Sequence, residues 1–359
     1  MNYKKWISLL LIVALLFISG CSDKGSESTE ATSENQNNPT TALEVSYPKK
    51  GTTANFYIGG SIAAGGDLNM RTLIRYLQPE MGITIVPNNL TGSRTIYNSG
   101  REVMRNPPDG YSFSYVLYPN FITEIYNPSI ETFSTTDDLY MLCNLVTDAS
   151  VIAVRSDDKR FESINDFADF VEYLKNNTNE NLLISAASVA GDDDITIRKI
   201  KHSVPEIADQ LTIVNGEGPA EGLTSLLGKH LDVFTGNVGD ITSLVADKKV
   251  KVITVFHTKR SLFLPDVKTA EESGYKIYNS SSRGVAIHKD TDPEIIKRIE
   301  DYVTKVVNDP VFIDDMARQG YELDYLPHDQ YVEFLQKEAK NFEEIMYMYK
   351  WGPNKTKLP

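Results

Sequence analysis

The chain is poor in cysteine, histidine and unbroken positive charge. It has two cysteines, Cys21 and Cys143, and five histidines in 359 residues. Processing at Cys21 would leave Cys143 as the one internal thiol, so no disulfide framework can form within one mature chain. Cys143 sits in the apolar run Tyr140-Met141-Leu142-Cys143, where a thiol is expected as a small buried hydrophobe. His202, His230, His257, His288 and His328 stand in no Gly-x-Ser-x-Gly or His-Glu-x-x-His context, so no catalytic residue, metal site or cofactor is expected. No basic block or arginine-rich helix is present, and the formal charge is −13. These features argue against a nucleic-acid partner.

Long apolar runs are equally scarce, with one exception at the start. Lys4 and Lys5 precede the apolar stretch Trp6 to Ile18, which ends in Ser19-Gly20-Cys21. A bilayer span needs about 20 apolar residues, and this stretch is shorter. It reads as an export signal. Ser-Gly-Cys resembles the lipobox of bacterial lipoproteins, which implies diacylation of Cys21 and a firm membrane anchor. Removing Lys4 and Lys5 with the signal leaves 34 basic against 49 acidic residues, a charge of −15. Residues 22–44 are mostly Ser, Thr, Glu, Asn and Gln, too polar to build a core, and are expected to be a tether.

From Asn55 onward, short apolar runs alternate with helical patterns. Strands are expected at 55–58, 83–86 and 112–117, with helices over 67–78 and 95–104 between them. The pattern restarts near Ser150, with strands at 151–154, 182–185, 211–214, 231–234 and 250–255. Helices are expected from 164 to 175, over 195–202 and 222–227, and near 241–246. A strand at 284–287, a helix over 293–307 with Asp292 as cap, and an amphipathic helix from Asp329 to about Tyr347 follow. Two restarted βαβ series predict an α/β, bilobed periplasmic-binding-protein-like fold, with two α/β lobes around a ligand cleft. The expected boundaries outside the folded part are signal 1–21, tether 22–44 and tail 351–359.

Several motifs occur in a fixed order: Ala63-Ala64-Gly65-Gly66-Asp67-Leu68-Asn69-Met70-Arg71, Asn88-Asn89-Leu90-Thr91-Gly92-Ser93, Pro108-Asp109-Gly110-Tyr111-Ser112, Gly216-Glu217-Gly218-Pro219-Ala220, Leu264-Pro265-Asp266 and Gly320-Tyr321-Glu322-Leu323-Asp324-Tyr325. In this order they resemble the substrate-binding subunits of tripartite tricarboxylate transporters, the Bordetella-type uptake proteins among them. The resemblance implies capture of a small organic carboxylate or amino acid and delivery to a large and a small integral-membrane subunit. It also implies that the outer segments form one lobe and the middle the other, with the first lobe over 45–147, the second over 148–265 and a return to the first over 266–350. A monomer is expected. A ligand-sensing subunit of a signalling system would share the same cleft.

The candidate ligand-binding residues follow from this layout. Ser61, Ala64, Gly65 and Gly66 precede a helix, where free N–H groups suit an anion and glycine admits close approach. Asp67 is expected as the cap, facing Arg71 one turn on. Thr91, Gly92 and Ser93 form a second loop, with Arg94 beside it. Tyr118 and Asn120 are expected on the cleft floor. Ser188 and Asp192 lie in Ser185–Asp194, whose three aspartates either cap a helix or face the cleft. An aspartate in the cleft would favour an amino acid, a cationic ligand or a metal–carboxylate complex over a bare carboxylate. Gly218, Pro219 and Ala220 form another glycine loop before a helix. Asn237 offers an amide that both donates and accepts, and Arg283 a guanidinium for a carboxylate.

Overall fold

A computed structural model describes residues 46–92, 94–126 and 138–348. The signal, Cys21, the tether, Ser93 and the tail lie outside the described residues.

The chain begins with β1 (Thr53–Gly59), α1 (Gly65–Met81), β2 (Thr84–Leu90), α2 (Thr95–Arg105), β3 (Ser112–Tyr118) and α3 (Asn120–Tyr126). The long strand β4 (Leu139–Arg155) leads into α4 (Phe167–Asn176), β5 (Leu182–Ala186), α5 (Asp192–Ser203) and β6 (Leu211–Asn215). Then come α6 (Pro219–Leu227), β7 (Val233–Asn237), α7 (Val238–Ala246), β8 (Val250–Val255) and β9 (Ser280–His288). The helices α8 (Pro293–Val307) and α9 (Pro310–Arg318), the strand β10 (Leu323–Pro327) and α10 (His328–Met348) close the fold.

β4 is the spine. Its first part, Leu139 to Ala149, pairs antiparallel with β9, and its last part, Ser150 to Arg155, pairs antiparallel with β7 and β8. On one side of this division β1 lies parallel between β2 and β3, β3 pairs with β9, and β10 borders β4. On the other, β5 lies between β6 and β7 in parallel pairing. The sequence pattern revealed only the second half of β4, because an acid at 148 interrupts the apolar run.

Each half has its own core. The first contains Phe56, Leu73, Phe113, Leu145 and Ile287; the second contains Ile152, Phe167, Phe170, Ile184 and Ile253. A smaller cluster around Phe234, Ile241 and Val252 backs the second. Ala270 and Ile277 pack in the second core, so the chain returns to the first lobe at Ser280 rather than at the expected residue 266. Tyr275 tucks its ring against Phe167 at 5.1 Å, tying the connecting segment to that core.

Capping and burial account for the helices. α8 starts as expected, with Pro293 at its first position and the Asp292 carboxylate accepting from Glu294 N–H at 2.8 Å. α10 buries Tyr331 and Leu335 against the first core. Cys143 is a free, buried thiol on β4, and burial pushes its pKa up to about 12. The buried apolar face of α1 includes Met70, Leu73, Ile74 and Leu77, while Leu68 is 38% exposed and Asn69 is fully buried.

Candidate functional site

In both lobes, parallel strands lead at their C-terminal ends into helices. The β1–α1 loop and the β5–α5 loop are built alike. Ala63 takes a left-handed φ of 65°, and its N–H donates to Asp67 Oδ2 at 2.8 Å. Arg71 Nε then donates to Asp67 Oδ1 at 2.8 Å. Ala190 takes a φ of 60°, its N–H donates to Asp194 Oδ2 at 2.8 Å, and Arg198 Nε donates to Asp194 Oδ1 at 3.0 Å. The N-caps themselves are Ala64 and Gly191, which have no capping side chain. Asp67 is therefore not the N-cap residue but the third helical one, reaching back to the loop. Arg71 also donates to Asn89 Oδ1 at 2.6 Å, and Asn89 Nδ2 returns a bond to Asp67 Oδ1 at 2.9 Å. Burial raises the Asp67 pKa, but the bonds from Arg71, Ala63 and Asn89 outweigh it and hold the carboxyl below its ordinary range.

Between these two helix starts lies a buried polar centre. Arg283 on β9 is 4% exposed; its Nη2 lies 3.1 Å from Asp148 Oδ2 on β4, and its Nη1 donates to Asn69 Oδ1 on α1 at 3.0 Å. The guanidinium also stands 4.9 Å over the Tyr321 ring. Gly239 N–H donates to Asp148 Oδ1 at 3.3 Å, and Asn237 Nδ2 donates to the Asp148 carbonyl at 3.1 Å. The Ser281 hydroxyl bonds Asp192 Oδ2 and also reaches Asn237 Oδ1 at 3.2 Å. Asn237 shares a capping box with Asp240 at the start of α7.

Close packing explains the glycines here. A Cβ on Gly65 would lie 2.8 Å from the Tyr321 hydroxyl and 3.1 Å from Arg283 Nη1, and one on Gly66 would lie 2.5 Å from the Tyr115 hydroxyl. Gly239 is pressed against the Tyr321 ring in the same way. Contacts between the lobes continue at Thr123, whose hydroxyl donates to the Ala190 carbonyl at 2.9 Å, and at Ile195 of α5, which joins the first core.

The electrostatics are lopsided. The Arg283 guanidinium faces Asp148 and Asp240, and the Asp192 charge acts on both of these acids. Burial pushes the Asp148 carboxyl up to about 7; Arg283 counteracts this, while Asp240 and Asp192 reinforce it. Burial likewise raises Asp240, and burial with the neighbouring Asp192 charge raises Asp193 well above the carboxylate range. Asn69 Nδ2 and Arg283 Nε are buried at the centre without hydrogen-bond partners, while Asp148 Oδ2 has the Arg283 ion pair at 3.1 Å in place of a hydrogen bond.

The candidates from the sequence divide accordingly. Gly65, Gly66, Asp192, Asn237 and Arg283 meet at or beside this centre. Asn120 lies against Gly191, half-buried, with its side-chain oxygen unpartnered. Ser61, Thr91, Gly92, Ser188 and Ala220 are exposed, and Ala64, Gly218 and Pro219 partly so. Tyr118 is a correction: its ring packs edge-on against Phe334 and its hydroxyl donates to the Glu338 carbonyl on α10 at 3.0 Å, which takes it into the core. Glu221 turns inward on its own loop, accepting from Glu217 N–H at 2.7 Å. Sequence reasoning missed Asn69, Asp240, Tyr115 and Tyr321, and treated Asp148 only as a crossover point. A lone acid inside the apolar run Leu145–Val151 was the available signal for Asp148.

The strand order, the facing helix starts and the buried centre describe a solute-binding protein. The family described as tripartite tricarboxylate transporter family receptor matches residues 70–349, and the chain belongs to it. The match begins after the first glycine loop. A Cupriavidus necator protein, "UPF0065 protein in gbd 5'region", is 23% identical over 291 residues, covering 80% of this chain and 85% of that one. Among solved structures, the periplasmic binding protein BugD aligns with a TM-score of 0.70 and 21% identity over 85% of this chain and 99% of its own. Rhodopseudomonas palustris Rpa4515 with adipate aligns with a TM-score of 0.69 and 16% identity over 84% and 98%. The protein is an extracytoplasmic solute receptor for a tripartite-type membrane transporter and takes a small organic ligand. Among the described residues no helix is long and apolar enough to cross a membrane.

Proposed function

We propose that the chain is a lipoprotein, anchored through Cys21, that captures a small organic carboxylate between its lobes and hands it to the large and small membrane subunits. It does so as a monomer and by binding, without catalysis. The observation that carries this reading is Arg283. It is buried where the lobes meet, it has an unpartnered Nε, and it sits beside the glycines that open α1. A guanidinium so placed is suited to a carboxylate. Relatives of the same fold were solved with carboxylates, malate in one and adipate in another.

Native mass spectrometry of the mature chain carrying Cys21→Ser, purified mildly and then titrated with small carboxylates, tests it. A retained or titratable carboxylate that is lost in Arg283→Gln is the expected result. Retention unchanged by Arg283→Gln would place the site elsewhere, and failure of every carboxylate to bind would sink the reading.

A further inference from the structure

The Tyr321 side chain stands where a carboxylate at the α1 start would have to lie. Resting on the proposed function, we infer that Tyr321 is an internal competitor for the ligand. Its phenol fills the space between the α1 start and Arg283, and a carboxylate enters as the ring turns out beside Gly320.

The Tyr321 hydroxyl is 2.8 Å from the point a Cβ on Gly65 would take, and two Arg283 nitrogens lie 3.1 and 3.2 Å from that same point. The guanidinium carbon is 4.9 Å from the ring centre. One spot thus joins a glycine helix start, a guanidinium and a phenol. The first-turn N–H groups of α1 have no capping side chain, and Arg283 Nε and Asn69 Nδ2 are buried without hydrogen-bond partners. A neutral phenol leaves those donors idle, whereas a carboxylate has the charge and the lone pairs to satisfy them. Tyr321 is only 4% exposed, so a ligand that takes this place displaces the ring.

The fold also holds a place for the displaced ring. Tyr321 follows Gly320, whose φ of 84° lies in the left-handed region, so the backbone there has a freedom other residues lack. A cavity of about 130 Å³ lies against the same segment. It is lined by Gly320, Glu322 and Leu323 from the first lobe and by Val238 and Phe263 from the second, and it opens to solvent at the exposed Asp324. The neighbours of Tyr321 in sequence line this cavity, while its own ring is turned toward Arg283. A space of that order holds an aromatic ring, since an apolar cavity of roughly 150 Å³ takes up benzene.

The ring also touches both lobes. Tyr321 packs in the first core, yet a Cβ on Gly239 at the start of α7 would come within 2.2 Å of its ring. A Cβ on Gly320 would come within 2.7 Å of Thr242 Oγ1 on the same helix. A ring that leaves Gly239 loosens this contact, so ligand entry and lobe movement are coupled through one residue.

Affinity and ring position test the inference on the mature Cys21→Ser chain. Calorimetric titration with malate, succinate and adipate would compare that parent chain with Tyr321→Ala. An internal competitor lowers apparent affinity by the fraction of chains in which it is out, so the best of these probes should bind Tyr321→Ala about tenfold more tightly. Binding by Tyr321→Ala alone, with the parent chain silent, supports the inference in the same way. Fluorotyrosine in place of Tyr321 keeps the packing and reports the ring. At saturation with the best probe its fluorine resonance should gain a solvent-isotope shift in deuterium oxide that the free chain lacks. This measurement decides the matter if Tyr321→Ala fails to fold. Unchanged or weaker binding by Tyr321→Ala, or a ring still shielded from solvent at saturation, overturns the competitor and leaves the carboxylate receptor standing. Absence of binding in every chain overturns both readings.

Discussion

The starts of α1 and α5 are two copies of one local device with opposite fillings. Ala63–Arg71 and Ala190–Arg198 each place a left-handed alanine four residues before an aspartate and eight before an arginine, with the same bonds between them. At the first two helical positions, α1 has Gly65 and Gly66 where α5 has Asp192 and Asp193. The first helix start thus brings bare backbone up to Arg283, Tyr115 and Tyr321, while the second brings carboxylates. Glycine keeps side chains out of the way of close partners, whereas aspartate occupies the same space with negative charge. One frame therefore makes a donor-facing wall in one lobe and an acceptor-facing wall in the other.

The most severe way to break the contrast is to remove the cation between the two walls. Arg283→Met leaves Asp148 buried without its partner, and one half of a buried pair typically costs about 3–5 kcal/mol when the other is lost. The expected result is a large fall in the urea midpoint of unfolding, with the first and second cores melting together. A loss under roughly 1 kcal/mol would show that the centre is hydrated enough to screen Asp148.

A smaller effect comes through titration. Asp148 has its pKa raised to about 7, and Asp193 is raised as well, both chiefly by burial. Each is protonated in the folded chain at pH values where the unfolded chain has released its proton. Their effect on stability is therefore fully favourable below the ordinary carboxylate range and is lost as pH rises through each raised pKa, about 7 for Asp148. Each such group contributes a decline of roughly 1.4 kcal/mol per pH unit within that window. Asp67 behaves oppositely: its lowered pKa gives stability that is present at neutral pH and lost as pH falls through the acid range. Denaturation curves between pH 4 and 8 should show the decline, and Asp148→Asn should flatten it by about one proton's worth. An unchanged slope in Asp148→Asn would mean that the carboxyl is already charged at pH 5.

What could be read from the sequence follows the locality of each feature. The glycines at 65 and 66, the aspartates at 192–194 and the loop at 216–220 announce themselves within a few residues, because a turn into a helix has its own chemistry. Arg283 was legible as a charge next to a strand. Asn69 was not, because the first turn of α1 faces the polar centre instead of the core. There the usual pattern inverts, with Leu68 outside and Asn69 inside. Tyr321 and Asp240 become site residues only because α7 docks on the segment after α9, a contact no local pattern encodes. Tyr118 misled for a related reason: the end of β3 faces the cleft in outline, but α10 covers the tyrosine and draws its hydroxyl away.

The mildest test addresses the shared frame. Asp67→Ala and Asp194→Ala each remove the acceptor of one loop N–H and of one arginine Nε, and losing a side-chain acceptor at a helix start typically costs about 0.5–2 kcal/mol. If the two starts are the same device, the two losses should agree within a few tenths of a kcal/mol, apart from the extra Asn89 bond that favours Asp67. The double variant should be additive if the two starts act independently. Thermal melts of the three variants settle the point. A clearly larger loss at Asp194 would mean that the acidic start depends on the Asp194 bonds to hold Asp192 and Asp193 in place. The frame would then be carrying charge repulsion in the second lobe that it does not carry in the first.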